Sequence, residues 1–231
     1  MVNIHILWAT IRPYVFANSL KIWQERSNGV KTTTHVCIND FFTTEEKEIV
    51  KKAVGDGEVL EINQTRFGVC QKAYELSSKL EANDDDIVVF ASDDFLPPDN
   101  WCNYLINKFS NKEGCLMVRD GYQLPDSSNM EMPVVTIPIM TFGALKKLNK
   151  VIYHPAYYHM YSDAELFLNA KELGILIDTR MTDATEFTHH HYAAGKRNAD
   201  INDQKYHEKW NDDKATWNKR KSMSIKERLE V

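Results

Sequence analysis

Ser92-Asp93-Asp94 closes the apolar run Ile87-Val88-Val89-Phe90-Ala91 and is followed by Phe95-Leu96-Pro97-Pro98-Asp99. Two adjacent carboxylates at the end of a buried strand can hold a divalent cation, because hard oxygen ligands suit Mg²⁺ or Mn²⁺ and the phosphates such ions carry. A local reading competes with this: Ser92, Asp93 and Asp94 as turn residues, and Asp99 as the N-cap of the next helix. The downstream sequence favours the metal. Phe187-Thr188-His189-His190-His191 sets three imidazoles in a row, and in an extended segment His189 and His191 share one face while His190 points to the other. An imidazole joined to carboxylates and water suits Mn²⁺, and Fe or Zn could use the same donors.

Three further groups of residues carry possible chemistry. Ser162-Asp163-Ala164-Glu165 opens a helix, and residues two apart do not share a helical face. One carboxylate can therefore act as a general base on an acceptor hydroxyl while the other serves the helix dipole; Asp163 is the first choice and Glu165 the second. Gly195-Lys196-Arg197 joins a flexible residue to two cations that can close over a diphosphate, although a bare charge run is more often a solvated face. Finally, Thr10-Ile11-Arg12-Pro13, Asn39-Asp40 and Arg66-Phe67-Gly68 fall at expected strand ends. Strand-end loops of a parallel sheet gather at one rim however far apart they lie in sequence. The chain contains no GxGxxG or Walker loop and no GxSxG elbow, which weakens Rossmann dinucleotide binding, P-loop chemistry and serine hydrolysis.

The elements that must hold these residues follow from periodicity. Residues 2–9, Thr32 to Ile38, Glu58 to Ile62 and Ile87 to Ala91 read as strands. Helices are expected from Val15 to a stop at Asn28-Gly29, from the Thr43-Thr44-Glu45-Glu46 start to Gly55, over Gly68 to Leu80 and over Asn100 to Phe109. This alternation predicts a three-layer α/β fold with a mostly parallel central sheet and flanking helices. The second half is less regular. Gly114 to Asp120 reads as a short strand, Met132 to Met140 as an edge or irregular strand because of Pro133 and Pro138, and Thr141 to Leu148 as a short helix. A Ser162-capped helix runs to Gly174, then come strands at Ile175 to Thr179 and Glu186 to His191. No repeat, linker or composition break divides the 231 residues, so a single domain is expected, with residues from about 198 to 231 as a C-terminal helical extension.

Composition bounds the function classes. The chain is 43% hydrophobic and 26% charged with net charge −5, ordinary for a globular protein and no polycation. Four scattered cysteines without a CxxC pair read as free thiols of a reducing compartment. The N-terminus reads as a first strand and not a signal peptide, and no apolar run approaches the ~20 residues of a membrane span, so a cytoplasmic location is expected.

In order and spacing, these motifs resemble the GT-A glycosyltransferases, particularly the family 2-like group. Thr10-x-Arg12-Pro13 looks like the family's opening nucleotide loop, Ile38-Asn39-Asp40 stands where its second strand meets the base, and Arg66-x-Gly68 precedes its metal strand. Val89-Phe90-Ala91-Ser92-Asp93-Asp94-x-x-Pro97-Pro98 resembles the DxD region, with Ala91 or Ser92 in place of the first Asp; Ser162-Asp163-Ala164-Glu165-Leu166 resembles the late acidic motif, and His189-x-His191 with Gly195-Lys196 the C-terminal metal and diphosphate loop. The resemblance implies a three-layer GT-A sheet and transfer of a sugar from a nucleotide donor, UDP above all, to an acceptor hydroxyl on a glycan or, as a minority reading, on a hydroxylated DNA base. It implies Mn²⁺ or Mg²⁺ on Asp94 and Asp93 completed by His191 or His189. Thr10, Arg12, Asn39, Asp40, Arg66 and Asp93 would serve the donor nucleotide, and Lys196 its diphosphate. Asp163 would be the base of an inverting reaction. The rival is a sugar-phosphate nucleotidyltransferase, against which the missing Gly-rich and Lys signature after the first strand counts.

Overall fold

The computed structural model describes residues 2–62, 68–110, 112–122, 133–191, 195–198, 204 and 207–231. Its first half alternates as expected: β1 (Ile4–Ala9), α1 (Pro13–Glu25), β2 (Thr32–Asn39), α2 (Thr44–Val54), β3 (Glu58–Ile62), α3 (Val69–Lys79) and β4 (Ile87–Ala91). The local causes are legible. Pro13 sits in the first turn of α1, where its missing N–H costs nothing. Thr43 and Glu46 form a reciprocal capping box at the start of α2. The remaining elements are β5 (Phe95–Leu96), α4 (Trp101–Lys108), β6 (Cys115–Met117), β7 (Ile139–Thr141), α5 (Phe142–Lys147), α6 (Ser162–Glu172), β8 (Leu176–Asp178), β9 (Thr188–His189), α7 (Trp210–Arg220) and α8 (Ile225–Arg228).

Seven strands form one sheet in the order β3-β2-β1-β4-β7-β6-β8. β1 pairs in parallel with β2 and β4, β2 with β3, and β6 with β8; β7 alone runs antiparallel, between β4 and β6. The carboxyl ends of β1, β2, β3, β4, β6 and β8 therefore open on one rim. β4 is buried along its whole length, with Val88 and Phe90 packed in one core layer and Ile87, Val89 and Ala91 in the other. Burial on both faces explains why its sequence is a continuous apolar run without alternation. At ~1.5–3 kcal/mol for each fully buried aliphatic side chain, such a strand anchors whatever follows it. On one side, Trp8, Trp23 and Trp101 stack edge to face under α1 and α4. The Trp23 indole donates to the carbonyl of Phe95 at 3.1 Å, tying α1 to the turn after β4.

Four expectations are corrected. Met132 of the strand expected over Met132 to Met140 lies outside the described residues, and over the rest only Ile139 and Met140 fall in a strand, the three-residue β7, which lies inside the sheet and not at its edge; it starts after Pro138, whose carbonyl still accepts from the Phe90 N–H at 2.9 Å. Ser162 is the first residue of α6 and not its cap: Tyr161 occupies the cap with φ +66°, and the Ser162 hydroxyl donates back to the His159 carbonyl. At α4 the cap is Asn100, while Asp99 is ion-paired with Arg26 at 3.4 Å. The expected strand over Glu186 to His191 is the two-residue β9, which pairs with β5 in a separate two-stranded sheet, Phe95 opposite His189.

Candidate functional site

That small sheet is what joins the two principal motifs. β5 lies directly after Asp93-Asp94, and its antiparallel pairing with β9 carries His189 to the end of β4 across 95 residues of sequence. The His190 N–H donates to the Asp94 carbonyl at 2.7 Å, and His189 Nε2 lies 3.3 Å from Asp94 Oδ2. The His189 ring stacks on Phe95 with centroids 4.1 Å apart, which fixes its plane. The Ser92 hydroxyl donates to the other oxygen of Asp94. Burial opposes the charge on Asp94. The hydrogen bond and charge of His189, the Ser92 hydroxyl and the Arg197 guanidinium outweigh it and hold the carboxyl well below the usual range. Asp94 is thus an ionised, immobilised carboxylate with an imidazole against it.

Asp93 is differently employed. The Arg12 guanidinium reaches it from the loop after β1 in a two-pronged ion pair, Nε to Oδ2 at 2.9 Å and Nη2 to Oδ1. Burial pushes the Asp93 carboxyl above its ordinary value, with Arg12 pulling it back and the adjacent Asp94 adding to the rise. Arg12, Val15, Asp93, Asp94, Leu96, His190 and Arg197 line an open pocket of about 240 Å³. Two guanidiniums and two carboxylates thus line one pocket, and a guanidinium is a donor that can grip phosphate in two-pronged fashion.

The expected set, Asp94 with Asp93 completed by His191 or His189, does not converge: among the described residues, no group of three or more His, Cys, Asp or Glu side chains is placed to hold a metal ion. The reason is competition for the side chains. Asp93 is turned to Arg12, and His191 stacks on Tyr122 at 5.0 Å. His189 and His191 do share a face, their rings 4.9 Å apart. The Asp94 carboxylate and the His189 imidazole lie side by side, an oxygen and a nitrogen donor of the types that suit a divalent ion such as Mn²⁺.

The other expected residues scatter by role. Asp163, at the start of α6, is half-buried; its Oδ1 accepts from the Ala164 N–H at 2.9 Å, and burial raises its carboxyl to about 6, His189 pulling the other way. Both Asp163 and Asp94 act on the buried Tyr153 hydroxyl, whose ionisation burial suppresses first. Asp163 thus lies within electrostatic reach of the Asp94–His189 pair. The Glu165 carboxylate is buried in a two-pronged ion pair with Arg220 and accepts from the Tyr157 hydroxyl at 2.7 Å, which corrects its reading as an alternative base. The Thr10 hydroxyl is spent within its own loop, accepting from the Arg12 N–H at 3.0 Å. Asn39 is fully buried at the end of β2, and neither its amide nitrogen nor its oxygen has a partner. Such a group invites a ligand's polar edge, since an unmade buried hydrogen bond costs ~1–3 kcal/mol. Asp40 is exposed beside it. Lys196 is exposed and donates to the Gly121 carbonyl at 3.2 Å. Arg66 lies outside the described residues.

Two site residues escaped sequence reasoning. Lys72 is buried on α3, donates to the Thr10 carbonyl at 3.1 Å, and is lowered to about 8 by burial. A lysine between Val69, Ala73 and Leu76 on an apolar stripe was the available signal. Asp120, buried at the end of the β6 segment, places Oδ2 3.9 Å from His189 Nδ1 and accepts the His189 N–H on its carbonyl at 2.8 Å. Nothing in its local sequence distinguishes it.

No protein-family model matches the chain, and no curated protein is similar to it in sequence. Its fold, however, is similar to solved structures. Residues 1–349 of TarS from S. aureus in complex with UDP superpose with TM-score 0.61 at 12% identity, over 98% of this chain and 77% of that one. In other TarS structures the chain spans 60% of the 1–349 fragment and 37% of the longer protein. Glucosyl-3-phosphoglycerate synthase from Mycobacterium tuberculosis, in complex with Mn²⁺, UDP and phosphoglyceric acid, gives TM-score 0.55 at 12% identity, over 88% of this chain and 74% of that one. A 4-diphosphocytidyl-2C-methyl-D-erythritol synthase gives TM-score 0.51 at 16% identity, over 85% of this chain and 97% of that one. The architecture of this chain is the three-layer, mostly parallel α/β fold of the GT-A glycosyltransferases.

Proposed function

We propose that this protein is a glycosyltransferase that moves a sugar from a nucleoside-diphosphate donor, UDP-linked above all, to an acceptor hydroxyl. The observation that carries the reading is the pairing of Asp94 with His189 at the carboxyl end of β4, where Asp94 also lines one pocket with Arg12 and Arg197. In an open α/β sheet that rim is where ligands bind. It is supported by the fold's likeness to TarS, solved with UDP, and to a mannosyltransferase from Pyrobaculum calidifontis, solved with GDP-Man and Mn²⁺ at TM-score 0.57 and 12% identity.

In this reading Asp94 and His189 hold Mn²⁺ or Mg²⁺, with His191 beside them. The ion's contribution is to offset the charge that develops on the leaving diphosphate. The orphaned amide of Asn39, with Asp40 and the Arg12 loop, receives the nucleoside, while Arg12, Arg197 and Lys196 take up the phosphates. Asp163 accepts the proton of the acceptor hydroxyl; burial tunes it toward that task, since a base works best with a value near the working pH. A second reading, nucleotidyl transfer to a sugar phosphate, is favoured by the likeness to the diphosphocytidyl-methylerythritol synthase. Incubation with Mn²⁺ and a panel of nucleotide sugars decides between them. Slow release of a nucleoside diphosphate supports glycosyl transfer. Pyrophosphate made from a nucleoside triphosphate and a sugar phosphate supports the rival and overturns the first reading.

A further inference from the structure

Helix α6, which carries Asp163, begins without a side-chain cap. Tyr161 at its cap makes no side-chain hydrogen bond to the helix and sits in the left-handed region, φ +66°, which a non-glycine residue keeps only when its surroundings impose it. The surroundings here are one face of α7. Asp213, Trp217 and Arg220 lie four and three residues apart, on a single stripe, and all three are buried. They meet the segment leading into α6 in register. The Asp213 carboxylate accepts the successive N–H groups of Tyr158, His159 and Met160 at 2.7, 2.9 and 2.7 Å. The Trp217 ring lies nearly parallel to Tyr161, 10° between planes and 6.4 Å between centroids. Arg220 then grips Glu165, one turn into the helix.

We propose that α7 is a splint that fixes where α6 starts, and hence where Asp163 stands, with Asp213 as its principal positioning residue. The inference rests on the glycosyltransferase reading, with Asp163 as the base. Three consecutive N–H groups converging on one carboxylate form a cradle that holds the loop from 158 to 160 in a single shape. Asp213 touches no part of the candidate site. Its effect on catalysis runs through Asp163, and a misplaced base loses rate without losing donor affinity.

A double-mutant cycle tests this on the full chain, read by Mn²⁺-dependent release of UDP from a UDP-sugar and by calorimetric titration with UDP. Asp213→Asn removes the charge and one acceptor while keeping the shape. It is expected to lower kcat roughly ten- to hundredfold, with the donor KM and the UDP Kd within about twofold of wild type. In the Asp163→Asn background the same change is expected to have no further effect, because the residue it positions is gone. A kcat loss that multiplies with that of Asp163→Asn, or an unchanged kcat, overturns the inference. So does a fall in donor affinity that parallels the fall in kcat. If Asp213→Asn does not fold, Trp217→Leu replaces it in the cycle, removing the stacked ring while keeping an apolar side chain, and the same outcomes decide. A wild-type protein that neither binds UDP nor turns over a donor defeats the transferase reading itself, which separates that failure from failure of the splint.

Discussion

Asp94 and Asp163 are both carboxylates at the same rim, yet their surroundings drive them apart. Asp94 is kept ionised by His189 and Ser92, whereas burial moves Asp163 up to about 6. Such a split suits the roles proposed for the two groups: a permanent anion for a cation, and a titrating group for a proton. Asp94→Asn preserves volume and removes the charge. It is expected to lower donor turnover by a factor on the order of 10²–10³ while the circular dichroism spectrum stays that of wild type. Unimpaired turnover in this variant would refute the metal role. For Asp163 the sign of the pH effect is fixed by the direction of its shift. As a base it must be deprotonated, so kcat should fall as pH drops through about 6. Its folded value lies above the ordinary 3.8, so protonation favours the folded state, and that benefit is lost as pH rises through about 6. Asp163→Asn, always neutral, should therefore melt higher than wild type at pH 7.5 and at the same temperature at pH 4. Equal melting temperatures at both pH values would place the carboxyl in an environment no drier than water.

Among the elements, Glu165 shows why a motif read on its own strand or helix can mislead. Its partner Arg220 is 55 residues away in sequence, and no local pattern announces the pair. Removing one member leaves the other buried and uncompensated, so Arg220→Ala is expected to cost about 3–5 kcal/mol of stability. Glu165→Ala should cost a similar amount, and the double variant less than the sum of the two; chemical denaturation of all three checks it. Additive losses would mean the two side chains do not act as a pair. The same limit explains the other elements. β4 was readable because burial on both faces leaves a continuous apolar run bounded by Asp86 and Asp93. β5 and β9 are two residues each, too short for any period, yet they bring His189 to Asp94. β7 was misplaced because Pro133 and Pro138 read as an edge, whereas the pairing residues come only after them. The ion pair between Arg12 and Asp93 spans 81 residues, so the diversion of one expected metal ligand was likewise invisible.

For the molecule as a whole, alternation of strands and helices made the fold class legible, and the parallel sheet made the rim loops a common site; what the sequence left open was which side chains each would turn to another. The overall charge is −5, and α7 carries exposed Lys214 and Lys219 beside exposed Asp212, so its outer face is mixed in sign. That weakens a DNA acceptor. Among the described residues no helix is long and apolar enough to cross a membrane. Ligand binding and global stability are linked, which gives a test that needs no acceptor. A ligand that binds only the folded state at 100 times its Kd stabilises by about 2.7 kcal/mol. For a chain of this size that corresponds to a rise in Tm of roughly 5–10 °C. UDP with Mn²⁺ should produce such a rise. UDP in EDTA should produce much less, because Arg12, Arg197 and Lys196 then face the diphosphate without a cation. In Asp94→Asn the difference between Mn²⁺ and EDTA should vanish, while the residual rise from UDP persists. An equal rise with and without Mn²⁺ in the wild type would show that these three side chains, and not a cation on Asp94 and His189, carry the phosphates.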